Sequence, residues 1–298
     1  MIRKVNRVGR DTLTVSLPRS WTRCYGLKKG DELSIEQSGA SLSITKGVCN
    51  NKASLNLDVS SLDRTGLVFT IRNYYREGID EFKVNFSNSD VCHYRINSAL
   101  PTFSVISQEV SRLIGLEITD KTESSCVLTV LNEGNNDDFE IFMRKTFHLI
   151  SYSLEELAKG KEGIEEVRRN HDILTSYVSF CLRLLRKKTL LKENNINYVH
   201  TTLTLLESCM DVIQRGARIV ENMEHPISEK TSMWMMDLAS FFRTITKIFY
   251  TREGMENFTR KRINLDKYLS ETELDKEEIS LRSCLSTTLI LSRGIFLG

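Results

Sequence analysis

The residues of this chain best placed to do chemistry are cations gathered at one end. Between residues 1 and 47 stand Arg3, Lys4, Arg7, Arg10, Arg19, Arg23, Lys28, Lys29 and Lys46, against only Asp11, Asp31, Glu32 and Glu36. That segment is +5, whereas the whole chain of 298 residues is +2, so the other 251 residues sum to −3. Charge of one sign concentrated in an end segment points to a polyanionic partner. Signals for catalysis are missing by contrast. No P-loop, dinucleotide-binding, nucleophile-elbow or His-Glu-x-x-His pattern occurs. The five histidines, His93, His148, His171, His200 and His225, share no metal-ligand spacing. The seven cysteines, Cys24, Cys49, Cys92, Cys126, Cys181, Cys209 and Cys284, are scattered and include no CxxC pair. An odd, dispersed set argues against a zinc ribbon or a disulfide framework. Free thiols acting as small hydrophobes in a reducing compartment are the expectation. The reading is a binding protein and not an enzyme.

The elements that must position these residues follow from hydrophobic patterning. Apolar residues make up 40% of the chain and charged residues 27%, as in ordinary globular proteins. No run of 18 apolar residues occurs, so no membrane-spanning helix is expected. The opening Met1-Ile2-Arg3-Lys4-Val5 lacks the apolar stretch of a signal peptide, which points to the cytoplasm. Thr12 to Leu17 alternates with period two and stops at Pro18, and Glu32–Glu36 and Ser41–Thr45 repeat that alternation around a turn containing Gly39. Ser20 to Tyr25 suits one short helix closed by Gly26. Residues 48–62 read as a polar linker. Beyond them the pattern predicts helices over Leu67–Tyr75 and Val105–Leu113, and strands over Phe82–Phe86, Leu116–Thr119 and Cys126–Leu131. After the Gly134-Asn-Asn-Asp-Asp138 turn the periodicity is purely helical. Val199, Leu203, Leu206, Met210, Ile213, Ala217 and Val220 form a seam at spacings of four and three, and Trp234, Leu238, Phe241, Ile245 and Ile248 form another. Together with helices near 138–159, 162–188 and 276–294, these make five candidates for a bundle.

The stretches Arg3-Lys-Val-Asn-Arg-Val-Gly-Arg10, Leu13-Thr-Val-Ser-Leu-Pro-Arg19 and Gly26-Leu-Lys-Lys-Gly-Asp31 resemble the AbrB/SpoVT family of DNA-binding domains. The resemblance covers almost all of residues 1–47 and combines four elements in order: basic arm, Leu-Pro after a strand, Gly-Leu, and Gly-Asp before the second hairpin. It implies a homodimer in which two hairpins exchange strands, and double-stranded DNA as partner. The positions matching the family's DNA contacts are Arg3, Lys4, Arg7, Arg10, Arg19 and Arg23. Physical chemistry is compatible with this: a guanidinium fork suits phosphate or guanine, and four short strands bury too little surface alone.

The region after residue 63 resembles archaeal PhoU-like regulators of phosphate uptake, in which an AbrB-like head precedes PhoU helices. It does so through Tyr74-Tyr-Arg-Glu-Gly78, Arg112-Leu-Ile-Gly-Leu-Glu-Ile118 and Leu206-Glu-Ser-Cys-Met-Asp211. The implied architecture is a multi-domain α+β chain: a swapped-hairpin head at 1–47, a small α/β segment at 63–131 and an all-α bundle at 137–296. PhoU helices can hold metal ions on paired Glu/Asp-x-x-x-Asp motifs. Glu207 and Asp211 keep one such pair, but the second motif falls on Asn170 and Leu174, with only Asp172 nearby. A salt-bridged or solvated pair is favoured, with a single divalent or iron ion completed by Asp172 or His171 as the alternative. The resemblance implies a DNA-binding regulator of phosphate homeostasis. Its runner-up is an adaptor that restrains a phosphate ABC transporter through its ATPase or a signalling partner, with the head serving only to dimerise.

Overall fold

The alternating runs within residues 81–130 supply three strands of a four-stranded sheet, whose buried apolar residues Phe82, Val84, Leu116, Cys126, Leu128 and Val130 face the core. In the computed structural model, residues 3–10, 12–38, 41–46, 54–94, 96–187, 193–269 and 276–296 are described. Strands β5 (Ser54–Asp58), β6 (Glu81–Asn85), β9 (Leu116–Lys121) and β10 (Ser125–Val130) lie in the order β5-β6-β10-β9. β5 runs parallel to β6, and β10 is antiparallel to both its neighbours. Registers Leu55↔Phe82, Phe82↔Leu128 and Leu128↔Ile118 build one apolar row across the sheet. Helices α2 (Arg64–Arg76) and α3 (Thr102–Val110) complete this core with the fully buried Leu67, Ile71, Tyr75 and Ile106. A parallel pair needs a crossover, and α2 supplies it. Asp63 caps α2 by accepting from the Gly66 amide, and Gly78, at φ 88°, ends it in the left-handed conformation.

Two elements here were not expected. Residues 54–58, inside the stretch read as a linker, are strand β5. A short hairpin, β7 (Asp90–His93) with β8 (Ser98–Pro101), precedes α3.

The remaining residues form α4 (Asn136–Leu157), α5 (Ile164–Lys187), α6 (Glu193–Asn222), α7 (Glu229–Thr251), α8 (Met255–Leu269) and α9 (Lys276–Arg293). α4 opens with a full capping box between Asn135 and Asp138. Both expected seams are buried along their whole length, on α6 and on α7. Helix α8 is additional to the five expected helices. The chain is thus mixed α+β with a mostly helical C-terminal region. Among the described residues, no helix is long and apolar enough to cross a membrane.

By packing, the chain divides into two compact units, Met1–Ala53 and Ser54–Gly298. The α/β segment and the bundle, read as separate stretches, belong to one unit. They are joined by polar pins as well as apolar contact. Arg183 of α5, 1% exposed, donates to the carbonyls of Tyr75 (3.0 Å) and Ile79 (2.6 Å) and to the Asp80 carboxylate. Lys187, one turn on, shares Asp80 and reaches Glu133 at 2.9 Å.

The first unit holds β1 (Asn6–Val8) paired with β2 (Thr12–Thr14), helix α1 (Arg19–Cys24), and β3 (Leu33–Ser38) paired with β4 (Ser41–Lys46). Each hairpin is its own two-stranded sheet. Among the residues of this unit whose exposure is described, none is buried. Val8, Leu13, Val15, Ile35 and Leu42 are between 49% and 69% exposed.

Candidate functional sites

The first candidate is the basic surface of residues 3–46. Arg7 closes the β1–β2 turn by donating from Nε to the Arg10 carbonyl at 3.1 Å. Gly9, at φ 76°, makes that turn possible. Arg19 and Arg23 sit one turn apart on α1, which starts directly after Pro18 and ends before the left-handed Gly26. Arg3, Lys4, Arg7, Arg10, Arg19 and Arg23 are all exposed. Among the described residues, none of the six is paired with a carboxylate. Lys46 instead donates to the Tyr25 carbonyl at 2.6 Å, tying β4 to the end of α1. The Lys28 amide donates to Asp31 at 2.9 Å, which fixes the turn before β3.

The second candidate is a cleft of about 620 Å³ between the α/β half and the bundle. Spacing of four residues along α2 puts Arg64, Val68, Arg72 and Arg76 on one face, directed at the cleft. Opposite, α6 presents Glu207, Asp211, Arg215 and Arg218 at spacings of four, four and three. His93 of β7, Arg112 after α3 and His171 of α5 close the sides.

All four residues singled out for metal binding lie at or beside this cleft, but cations already face their carboxylates. Arg76 donates to Glu207 at 2.6 Å and to the Ser179 hydroxyl at 3.0 Å. Arg112 donates to Asp172 at 2.9 Å. His171 Nε2 lies 3.0 Å from Asp211 Oδ1, and its Nδ1 lies 3.6 Å from Asp172, an ion-pair distance and not a hydrogen bond. Burial alone would push the His171 imidazole down. The Asp172 and Asp211 carboxylates outweigh it and lift it from 6.5 to about 8. A hard cation wants several free oxygens, and here two guanidiniums and an imidazole occupy those oxygens. Among the described residues, no group of three or more His, Cys, Asp or Glu side chains is arranged to hold a metal ion. The degraded motif positions, Asn170 and Leu174, supply no carboxylate and are buried at 2% and 0% exposure.

The sequence reading missed the cleft's arginines. Arg72 is held by a two-pronged bond to Glu109, at 2.7 and 3.1 Å, and that carboxylate is only 1% exposed. The visible signal was the spacing of Arg64, Arg72 and Arg76. What they face was not visible, because the opposite wall lies more than 130 residues away in sequence.

Of the cysteines, Cys126, Cys181 and Cys209 are buried as expected of core thiols, whereas Cys24 and Cys92 are exposed and Cys284 is half-buried. Cys49 lies outside the described residues. Compared with known proteins, the chain matches no family model, no curated protein and no solved structure.

Proposed function

We propose that this protein is a homodimeric DNA-binding regulator whose first unit grips double-stranded DNA. The observation that carries the reading is the combination in residues 3–46 of six exposed cations that have no carboxylate partner among the described residues and apolar strands that a single copy leaves uncovered. Exposed hairpins of this kind are not stable alone. A second copy supplies the missing cover and doubles the cationic surface. Unneutralised arginines supply the sequence-independent part of DNA affinity through counterion release. The link to phosphate uptake rests on the resemblance to PhoU-like regulators alone.

The test is DNA binding measured against salt for the full-length protein and for Arg10→Ala and Arg23→Ala. Removing one arginine–phosphate pairing should lower the magnitude of the log–log salt slope by about 0.9, hence by about 1.8 in a symmetric dimer. Unchanged affinity and slope in both variants would remove these arginines from the interface. Absence of DNA binding by the wild-type dimer would leave the adaptor reading, in which the first unit only joins two copies.

A further inference from the structure

We infer that the cleft between α2 and α6 is a binding site for a small phosphorylated organic molecule of about nucleotide size. This does not rest on the DNA-binding reading, since it concerns a different part of the chain.

The first argument is charge. Six arginines, Arg64, Arg72, Arg76, Arg112, Arg215 and Arg218, line the cleft against the carboxylates of Glu207 and Asp211. Glu109 and Asp172, just behind the wall, pair with Arg72 and Arg112. Two guanidiniums still exceed the carboxylates, before His171 is added. Among the described residues, Arg218 donates only to the neutral Gln214, at 3.1 Å. Among the described residues, Arg64 and Arg215 have no carboxylate or hydrogen-bond partner. Structural ion-pair networks balance their charges, and a surplus of cations inside a concavity is an electrostatic trap for an anion.

The second argument is unused bonding capacity. Among the described residues, His93 Nδ1 is buried without a hydrogen-bond partner, whereas His171 Nδ1 has the Asp172 carboxylate 3.6 Å away. Buried polar atoms are normally satisfied, and the His93 nitrogen is left without a partner in a residue that lines the cleft.

Size and lining decide the class. A volume of about 620 Å³ is in the range of sites for organic ligands and is far more than one phosphate group fills. Phe69, 53% exposed, offers an aromatic face on the cleft, with Val68 beside it. Thr175, Ser208, Asn73 and Gln214 add neutral polar groups. Arg76 pairs with Glu207, and Arg72 feels the charges of both Glu207 and Asp211. Moving back along α2 therefore corresponds to moving forward along α6. Arg64 stands about 12 Å before Arg72 at 1.5 Å per residue, which brings it level with Arg215 and Arg218. The phosphates are assigned to this end, where free guanidinium forks can bind them in pairs.

The test uses the full-length protein at fixed ionic strength without DNA. Calorimetric titrations with orthophosphate, pyrophosphate, AMP, ATP and GTP are compared for the wild type, Arg64→Ala and Arg215→Ala. A double variant, Arg10→Ala with Arg23→Ala, serves to exclude binding by the first unit. The expectation is that at least one nucleotide binds at least tenfold tighter than orthophosphate. Each cleft variant should weaken it roughly tenfold or more, the value of a charge-assisted hydrogen bond. The double variant should bind as the wild type does, and all variants should keep the wild-type melting temperature. No nucleotide bound below millimolar, equal affinity for orthophosphate and nucleotides, or affinity unchanged in both cleft variants would each overturn the inference.

Discussion

Replacing Arg183 with methionine should be among the most damaging single changes in the second unit. Methionine fills much of the same volume, so the change isolates the guanidinium. Three interactions go with it: the bonds to the Tyr75 and Ile79 carbonyls and the ion pair with Asp80. The Tyr75 carbonyl keeps a second donor in the Gly78 amide at 3.1 Å. For the Ile79 carbonyl, removal of the guanidinium means an orphaned acceptor, costing about 1–3 kcal/mol. Removing one partner of a buried ion pair costs about 3–5 kcal/mol when the other charge is stranded. Lys187 still reaches Asp80, which tempers that figure. The expected total is about 3–4 kcal/mol. Urea unfolding followed by the fluorescence of Trp234, fully buried in the bundle, measures it. Substituting Trp21, the other tryptophan, removes the competing signal. Arg183→Lys keeps one charge but cannot serve three acceptors, and should recover about half of the loss. Asp80→Asn combined with Arg183→Met should cost less than the two single losses added, by about 0.5–3 kcal/mol. A loss below about 1 kcal/mol for Arg183→Met, or strict additivity in the double variant, would show that the pin does not hold the two halves together.

Two further outcomes are expected. His171 is raised to about 8 in the folded protein, so its protonated form adds stability fully below about pH 6.5 that is lost as pH rises through about 8. The span is worth about 2 kcal/mol, and His171→Gln should flatten that part of the stability–pH curve; an unchanged curve would count against the imidazolium. Native-state labelling with a thiol reagent, located by mass spectrometry, should modify Cys24 and Cys92 quickly. It should spare Cys126, pushed up to about 11 by burial, and Cys181 and Cys209, pushed higher still. Labelling of Cys209 in native protein at the rate of Cys92 would contradict the packing of α6.

The parts of the fold visible in the sequence are those whose signal is local. The α6 seam needed seven apolar residues in strict alternation of spacings, and all seven are buried. β5 was missed because Ser54-Leu-Asn-Leu-Asp58 shows only two apolar residues amid polar ones, which is enough for an edge strand paired on one side. The α8 signal is equally thin: among its residues whose exposure is described, Phe258 and Leu265 are the buried apolar ones, on a helix that is otherwise largely polar. The arginines of the first unit were visible because they are clustered in sequence. Those of the cleft are drawn from α2, the end of α3 and α6, and only tertiary packing makes them one group. The Glu207–Asp211 pair was singled out by its resemblance to the PhoU-type motif, but its cationic partners, Arg76 and His171, could not be assigned from periodicity.

Of the second unit, a chain emerging from its N-terminus makes β5, α2 and β6 first, and the strand that belongs beside β6 is β10, the last of the sheet to appear. Until then Phe82 and Val84, both fully buried in the finished fold, belong to a strand with β5 on one side and an open ladder on the other. At synthesis rates of about 5–20 residues per second that edge stays open for several seconds, long enough to meet a neighbouring nascent copy. β9 and β10 are joined by a tight turn in which the Thr122 amide donates to the Ser125 carbonyl at 2.7 Å, and such hairpins form in about 1–10 μs. The two strands therefore arrive as a ready-made pair, and the same docking step that fills the centre of the sheet also seals its vulnerable edge.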